Sequence, residues 1–224
     1  MSFRPIEYTD VYSEYPQVWE ACQQLSEHHR SMNKRPYRQG KRAEDVTATR
    51  QRIIEAAVRL HGTIGPSRTT IAALADEAGV TRLTVYRHFP DAESLFGACS
   101  SHWAAAQTMP DVAAWTDTDD AKARLRQGLG DLYRFYADAS PMLTLVIRDE
   151  DAIPRSQVEA RRAREAAWVD VLMQPFTQRT GRRQALRAAV GHAVQFGTWQ
   201  SLERQGLDPR EAARLMTTMV LGAA

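Results

Sequence analysis

A cluster of side chains that could contact a polyanion lies between Gly79 and Phe89. Its members are Arg82, Leu83, Thr84, Arg87 and His88. Val85 and Phe89 are four residues apart, so they lie on one face of a helix and leave this set on the other. A guanidinium group can bind the O6 and N7 atoms of guanine in the major groove. The predicted chemistry is therefore nucleic-acid recognition.

The segment before this cluster supplies the elements that position it. Thr70 is a typical N-cap, and an apolar helical face follows it, formed by Ile71, Leu74, Ala75 and Ala78. Gly79 then supplies a tight turn, Val80 fills the angle between the helices, and Thr81 caps the next helix. The pattern predicts helix, turn, helix, with the second helix of a size that fits the major groove.

Residues 47–96 resemble the tetracycline-repressor (TetR) family of bacterial transcription regulators. The matching segments are Thr69-Thr70, Ile71-Ala72-Ala73-Leu74-Ala75, Ala78-Gly79-Val80 and Thr84-Val85-Tyr86-Arg87-His88-Phe89, with Thr49 to Ala57 as the first helix. The resemblance implies that Tyr86 and His88 contact phosphate and that Thr84 touches a base or the backbone. The family often has Lys three residues after the closing aromatic, where this chain has Ala92, so one phosphate contact is missing.

The predicted DNA-binding residues are Thr70, Thr81, Arg82, Leu83, Thr84, Tyr86, Arg87 and His88, together with Lys41 and Arg42. Arg82 and Arg87 could read bases or meet only phosphate, and Leu83 could touch a thymine methyl group or remain exposed. Tyr86 could instead pack between helices, and His88 could be a solvated residue at the rim.

Charge is unevenly distributed along the chain. The net charge is only +2, yet residues 1–29 carry −4, residues 30–90 carry +7 and residues 91–224 carry −1. The run Arg30, Lys34, Arg35, Arg38, Lys41 and Arg42 contains no acidic residue. It is either a solvated tail or an arm that follows the DNA backbone or enters the minor groove.

Composition and motifs argue against other classes of protein. In 224 residues there are two cysteines and 43% hydrophobic residues, with no apolar run of membrane-spanning length. We expect a soluble, cytoplasmic protein with no metal site and no cofactor. The sequence contains no glycine-rich phosphate loop and no nucleophile elbow, so an enzyme is not expected.

Helical periodicity after Asp45 predicts an all-α protein with a helix-turn-helix domain at residues 47–90 and a larger helical domain at residues 91–224. Helix starts are predicted at Thr47, Thr70, Thr81, Asp91, Ser140-Pro141 and Asp208-Pro209. The long helices are predicted over residues 119–138, 154–174, 182–205 and 209–224. Residues 32–46 form the basic arm.

The larger domain is predicted to carry a dimer interface and an effector pocket. Small residues recur every four positions at Ala185, Ala189, Ala193 and Gly197, and the last helix adds Met216 and Met219. These six are the predicted interface residues. The alternative is an ordinary intramolecular core. The predicted pocket residues are Tyr136, Met142, Arg148, Trp168, Leu172, His192, Phe196 and Trp199, with Arg148 or His192 as the polar contact.

The resemblance implies a homodimeric regulator, a repressor in the family's common mode, that binds palindromic double-stranded DNA and is released by a small, mostly apolar or aromatic effector. An architectural DNA-binding protein of the same fold without an inducer is the alternative. Residues 1–31 lie outside the resemblance. Either the natural start is Met32, or residues 16–29 form a short helix with Val18, Cys22 and Leu25 on one side.

Overall fold

The computed structural model describes residues 43–177 and 180–223, except for the side chain of Thr180. Within these ranges the regular elements are all helical and no strand occurs, as the sequence predicted. The chain divides into two units between residues 51 and 52. The predictions for residues 1–31, Lys41 and Arg42 fall outside the described residues. The predicted domain boundaries remain predictions.

Nine helices cover the described residues. They are α1 (residues 43–63), α2 (Ile71–Ala78), α3 (Arg82–His88), α4 (Ala92–Ala105), α5 (Ala121–Arg148), α6 (Arg155–Met173), α7 (Thr180–Ala193), α8 (Phe196–Glu203) and α9 (Pro209–Gly222). Short 3-10 turns cover Pro66–Arg68, Ala114–Asp117 and Glu150–Ala152.

Four predicted N-caps are confirmed, because the side chains of Thr70, Thr81, Asp91 and Asp208 each accept a hydrogen bond from a backbone N–H in the first turn. Asp208 also forms a capping box with Glu211. The predicted cap at Thr47 is wrong, since helix α1 already includes residue 43. The Thr47 hydroxyl donates to the Ala43 carbonyl, 3.0 Å away, inside the helix.

The predicted break near Pro141 is also wrong, because α5 continues through this proline to Arg148. Proline has no N–H to donate, so the turn loses one backbone hydrogen bond. The buried stripe of α5 nevertheless passes across the proline at helical spacing, through Leu132, Tyr136, Ala139 and Leu143. Burial of this stripe outweighs the local cost.

The single helix predicted over residues 182–205 is divided into α7 and α8 at Val194-Gln195. The last carbonyls of a helix have no hydrogen-bond partner within it. Here three of these carbonyls each accept a hydrogen bond from a side-chain hydroxyl. Thr198 Oγ1 donates to His192 O (2.7 Å), Tyr133 OH to Ala193 O (2.8 Å) and Tyr136 OH to Val194 O (2.6 Å). Burial raises the pKa of both tyrosines, which therefore remain neutral donors.

Two hydrophobic clusters form the interior. The first joins Ile53, Ile54, Ala56 and Ala57 of α1 to residues of α2 and α3, to Phe89, and to Leu95 and Cys99 of α4. The second runs from Trp115 to Val220 and is formed mainly by α5 to α9. Helix α4 takes part in both, because Trp103 packs against the second cluster.

Candidate nucleic-acid interface and internal cavity

Helix α3 is held by its inner face and offers its outer face to solvent. Val85 is completely buried and Phe89 is 3% exposed, which confirms the predicted inward pair. On the outer face Leu83 is 70% and Tyr86 52% exposed. Arg82 and Arg87 are exposed as well, and Thr84 and His88 are half-buried.

The two guanidinium groups on this face are free to bind a ligand. Neither Arg82 nor Arg87 has a hydrogen-bond or ion-pair partner among the described residues. By contrast, Arg59 on α1 is already paired with Glu77 of α2, at 2.7 Å. The face of α3 therefore presents two unpaired cations beside an exposed phenol, a combination suited to base edges and phosphate oxygens.

The threonines predicted to contact DNA already have local partners. Thr70 Oγ1 accepts from Ala73 N at 3.1 Å, and Thr81 Oγ1 accepts from Thr84 N at 3.2 Å. The hydroxyls of Thr81 and Thr84 lie 2.9 Å apart and are hydrogen-bonded. These three side chains therefore fix the starts of α2 and α3, and any contact with DNA would use their remaining hydrogen-bonding capacity.

A cavity of about 190 Å³ lies among α1, α4, α5, α6 and α8. Seven ring-bearing side chains contribute to its wall: His61, Phe96, Trp103, Phe135, Tyr136, Trp168 and Phe196. They come from α1, α4, α5, α6 and α8. Aliphatic residues of α5 and α6 contribute to the remaining wall, and the charged groups that line it are Arg161, Arg164 and Glu165.

Four of the eight predicted pocket residues line this cavity, namely Tyr136, Met142, Trp168 and Phe196. Arg148, Leu172, His192 and Trp199 do not line it. Leu172 is fully buried and lies against Gly128 of α5. Trp199 lies behind the wall, with its ring 5.4 Å from that of Phe196. His192 is exposed at the end of α7.

Arg148 belongs to a different polar group that joins the end of α5 to the loop after α1. Its guanidinium donates to Asp149 at 2.7 and 2.9 Å and to the Ile64 carbonyl at 3.1 Å, and Asp149 also accepts from Ser67 N at 3.1 Å. Asp149 is 8% exposed. We call Arg148, Asp149 and the backbone of residues 64–67 the polar clasp. Arg148 and then Ser67 hold the pKa of Asp149 well below its usual range, against the opposing effect of burial.

Several wall residues could not be found from the sequence. His61 lies in α1, and Phe96 and Trp103 lie in α4, so their approach to α5 and α6 depends on tertiary packing. The His61 ring stacks on Phe96, with 4.8 Å between the ring centroids. Arg161 and Arg164 are three residues apart and could have been noticed as a pair on one helical face.

The predicted interface residues fall into two groups. Ala193 and Met216 are buried in the core of the single chain, so they have no surface to offer a partner. Ala185 and Gly197 are exposed and Ala189 is half-buried, while Met219 is 58% exposed. Leu215, which the sequence pattern did not single out, is 41% exposed one turn before Met219.

Two other kinds of site are absent from the described ranges. Residues 43–177 and 180–223 contain no group of three or more His, Cys, Asp or Glu side chains placed to bind a metal ion. In the same part of the chain no helix is both long enough and apolar enough to cross a membrane.

Comparison with known proteins points to one family. The family model for bacterial regulatory proteins of the tetR family matches residues 53–99, which contain all of α2 and α3. The HTH-type transcriptional regulator AcrR from Shigella flexneri is 41% identical over 56 residues, covering 25% of this chain and 26% of that protein.

Two other matches extend further along the chain. Nucleoid occlusion factor SlmA from Marinobacter nauticus is 29% identical over 164 residues, which is 73% of this chain and 73% of that protein. A crystal structure of a TetR-like transcriptional regulator from Rhodococcus sp. RHA1 covers 77% of this chain and 93% of its own, with a TM-score of 0.56 and 18% identity. That likeness shows the fold alone.

Proposed function

The chain belongs to the TetR family of bacterial regulatory proteins, and from that premise we propose how it works as a DNA-binding regulator of transcription. It binds a palindromic operator as a cytoplasmic homodimer, represses the adjacent genes, and is released by a small, mostly apolar or aromatic effector. The observation that carries the DNA-binding part is the outer face of α3, where Arg82 and Arg87 are exposed without partners among the described residues.

The operator contacts we propose follow from the chemistry of that face. Arg82 and Arg87 read base edges, because a bidentate contact with guanine discriminates against other bases by about 1–3 kcal/mol. Tyr86, with its exposed hydroxyl, and His88 bind phosphate. Leu83 contacts a thymine methyl group, and Lys41 and Arg42 bind the backbone next to the operator.

The dimer is supported by an apolar strip on α9. Leu215 and Met219 lie one turn apart and are 41% and 58% exposed, so they form a small apolar strip that a second surface could cover. We assign this strip, with Ala185, Ala189 and Gly197, to the contact with a second copy. A two-fold dimer would place its two α3 helices in successive major grooves, about 34–36 Å apart.

Release by an effector is supported by the position of α4, which packs against the helix-turn-helix and also lines the cavity. Leu95 and Cys99 belong to the cluster that holds α2 and α3, whereas Phe96, Ser100 and Trp103 line the cavity. A ligand that favours one position of the cavity wall would therefore also move α4 and the helix-turn-helix with it.

Selection from random DNA followed by competition binding tests this proposal. We expect an inverted repeat to be enriched. Arg82→Ala and Arg87→Ala should each lower affinity for it by about 5- to 150-fold, with a much smaller effect on unrelated DNA. Arg126→Ala, which removes an exposed arginine from α5, is the matched control. Equal affinity for all sequences at physiological salt would contradict specific operator binding.

A second candidate function has its own observation. The match to nucleoid occlusion factor SlmA extends over 164 residues, well beyond the helix-turn-helix region. It supports the second candidate, a DNA-binding protein that acts on the nucleoid. Genome-wide mapping separates the two, because an operator-specific repressor should occupy a few promoters and a nucleoid-associated protein many sites spread over the chromosome.

A further inference from the structure

We propose that the cavity binds an amphipathic organic anion, a carboxylate on a short aromatic or aliphatic body, and that Arg164 receives its negative charge. This inference rests on the proposed effector function and names the chemical class of the ligand. It depends on the net charge of the cavity wall, which is otherwise mostly apolar.

Most of the wall is suited to an apolar body. Rings from five helices line it. The hydroxyl of Tyr136 donates to the Val194 carbonyl at 2.6 Å. His61 is 6% exposed, and burial lowers its pKa to about 4, so it is neutral at neutral pH. These side chains offer no charge to a ligand.

The size of the cavity limits this body to one ring or a short chain. An apolar cavity of about 150 Å³ is large enough to hold a benzene molecule. The volume here, about 190 Å³, leaves room for one ring and a few further atoms.

The charged part of the wall lies on one face of α6, where Arg161, Arg164 and Glu165 follow each other at helical spacing. Arg161 is already occupied. Its guanidinium is bound to Glu150 and lies 3.2 Å from Glu165, so Glu165 is neutralised by a neighbour that is only 20% exposed.

Arg164 is the third charged residue of the cavity wall. It is exposed and has no hydrogen-bond or ion-pair partner among the described residues, so the charged groups that line the cavity sum to one positive charge. The surrounding network does not cancel it, because Glu150 is shared between Arg161 and Arg162.

The charged groups of α6 also act on the phenol of Tyr136. Burial is the main cause that raises the pKa of Tyr136, and Glu165 raises it further, whereas Arg161 and Arg164 lower it. All three charged groups of the α6 face therefore act at this part of the wall, and Glu165 has the largest effect of the three. A cationic ligand would be repelled by Arg164 and would have to compete with Arg161 for Glu165, while an anion meets an unpaired guanidinium.

Matched probes test the class of ligand with the full-length chain. We would titrate 3-phenylpropanoate, 3-phenylpropan-1-ol and 3-phenylpropylamine, and the corresponding hexanoate, hexanol and hexylamine. Binding would be followed by the fluorescence of Trp103 and Trp168, which line the cavity, and by thermal melting. We expect each carboxylate to bind about tenfold or more tightly than the alcohol and the amine with the same body.

Two variants locate the charge. Arg164→Gln should lower the affinity for the carboxylates about tenfold and leave the affinity for the alcohols unchanged. Arg162→Gln removes the same charge from a residue of the same helix that does not line the cavity, and should change carboxylate binding much less. Equal losses in both variants would overturn the role of Arg164.

The remaining outcomes separate the two levels of the proposal. If the alcohols or amines bind as tightly as the carboxylates or more tightly, the anion class is overturned while an effector cavity stands. If no probe of either series binds, both the anion class and the proposed effector function fail.

Discussion

At the scale of single residues, His61 couples the stability of the protein to pH. It is buried, stacks on Phe96, and its pKa is lowered by burial from 6.5 to about 4. Between these two values the unfolded chain takes up a proton that the folded chain does not bind. The contribution of His61 to the free energy of unfolding is therefore fully present above pH 6.5 and falls as the pH falls toward 4.

Replacing this histidine should flatten the pH dependence. His61→Phe keeps an aromatic ring beside Phe96 and removes the titration. Between about pH 7.5 and pH 5 the free energy of unfolding of the wild type should therefore fall by about 2 kcal/mol more than that of the variant. Urea unfolding at the two pH values measures the difference. A proton NMR titration of the His61 ring is an internal control. A His61 imidazole that titrates near pH 6.5 in the folded protein would contradict the assignment.

The sequence predicted residues well where local periodicity decides their position. The inward pair Val85 and Phe89 is buried because a helix brings residues four apart to the same face. Periodicity could not show that Arg164 would remain unpaired while Arg161 is bound to two acids, since Glu150 comes from the turn before α6. The charge of the cavity depends on contacts between elements that no single helix specifies.

At the scale of elements, the polar clasp ties the end of α5 to the loop between α1 and α2. Gly65 in this loop has φ +92°, a conformation that glycine adopts without strain. A Cβ atom at residue 65 would also overlap Asp149 Oδ2 and Arg148 Nη2. The close approach of the loop to the clasp therefore requires glycine for two separate reasons.

Breaking the clasp should destabilise the protein in a way that depends on pH. The Asp149 carboxylate contributes stability above its unfolded pKa of about 3.9, and this contribution is lost as the pH falls below that value. Asp149→Asn should lower the melting temperature by several degrees at pH 7 and by much less at about pH 2.

Thermal unfolding followed by circular dichroism at both pH values measures this effect. Asp138→Asn changes an exposed aspartate of α5 and should leave the melting temperature nearly unchanged. If Asp149→Asn lost as much stability at low pH as at neutral pH, the carboxylate would not be the source.

Element boundaries were predictable where a cap marks them and not where packing overrides local preference. Thr70, Thr81, Asp91 and Asp208 each satisfy a backbone N–H within their own turn, so their caps could be read from the sequence. The division between α7 and α8 has no such local signal, since two of the hydroxyls that satisfy the free carbonyls belong to Tyr133 and Tyr136 of α5. For the same reason half of the predicted pocket residues lie elsewhere.

At the scale of the whole molecule, the proposed dimer depends on the exposed strip of α9. Met219→Glu would bring a carboxylate close to its symmetry-related copy in a two-fold contact, so the dimer should dissociate at concentrations at least about 30-fold higher than wild type. Analytical ultracentrifugation measures this. Gln127→Glu adds the same charge at an exposed site on α5 and should not change assembly. A Met219→Glu protein that remained as dimeric as wild type would refute the assignment.

The two separate hydrophobic clusters have a consequence for how the chain opens. The helix-turn-helix has its own interior, so it can exchange its amide protons through a partial opening that leaves the second cluster closed. Because α4 belongs to both clusters, a molecule held in the cavity would make that partial opening rarer without touching α2 or α3. Occupancy of the cavity would then be recorded in the amide protection of helices that have no contact with the ligand.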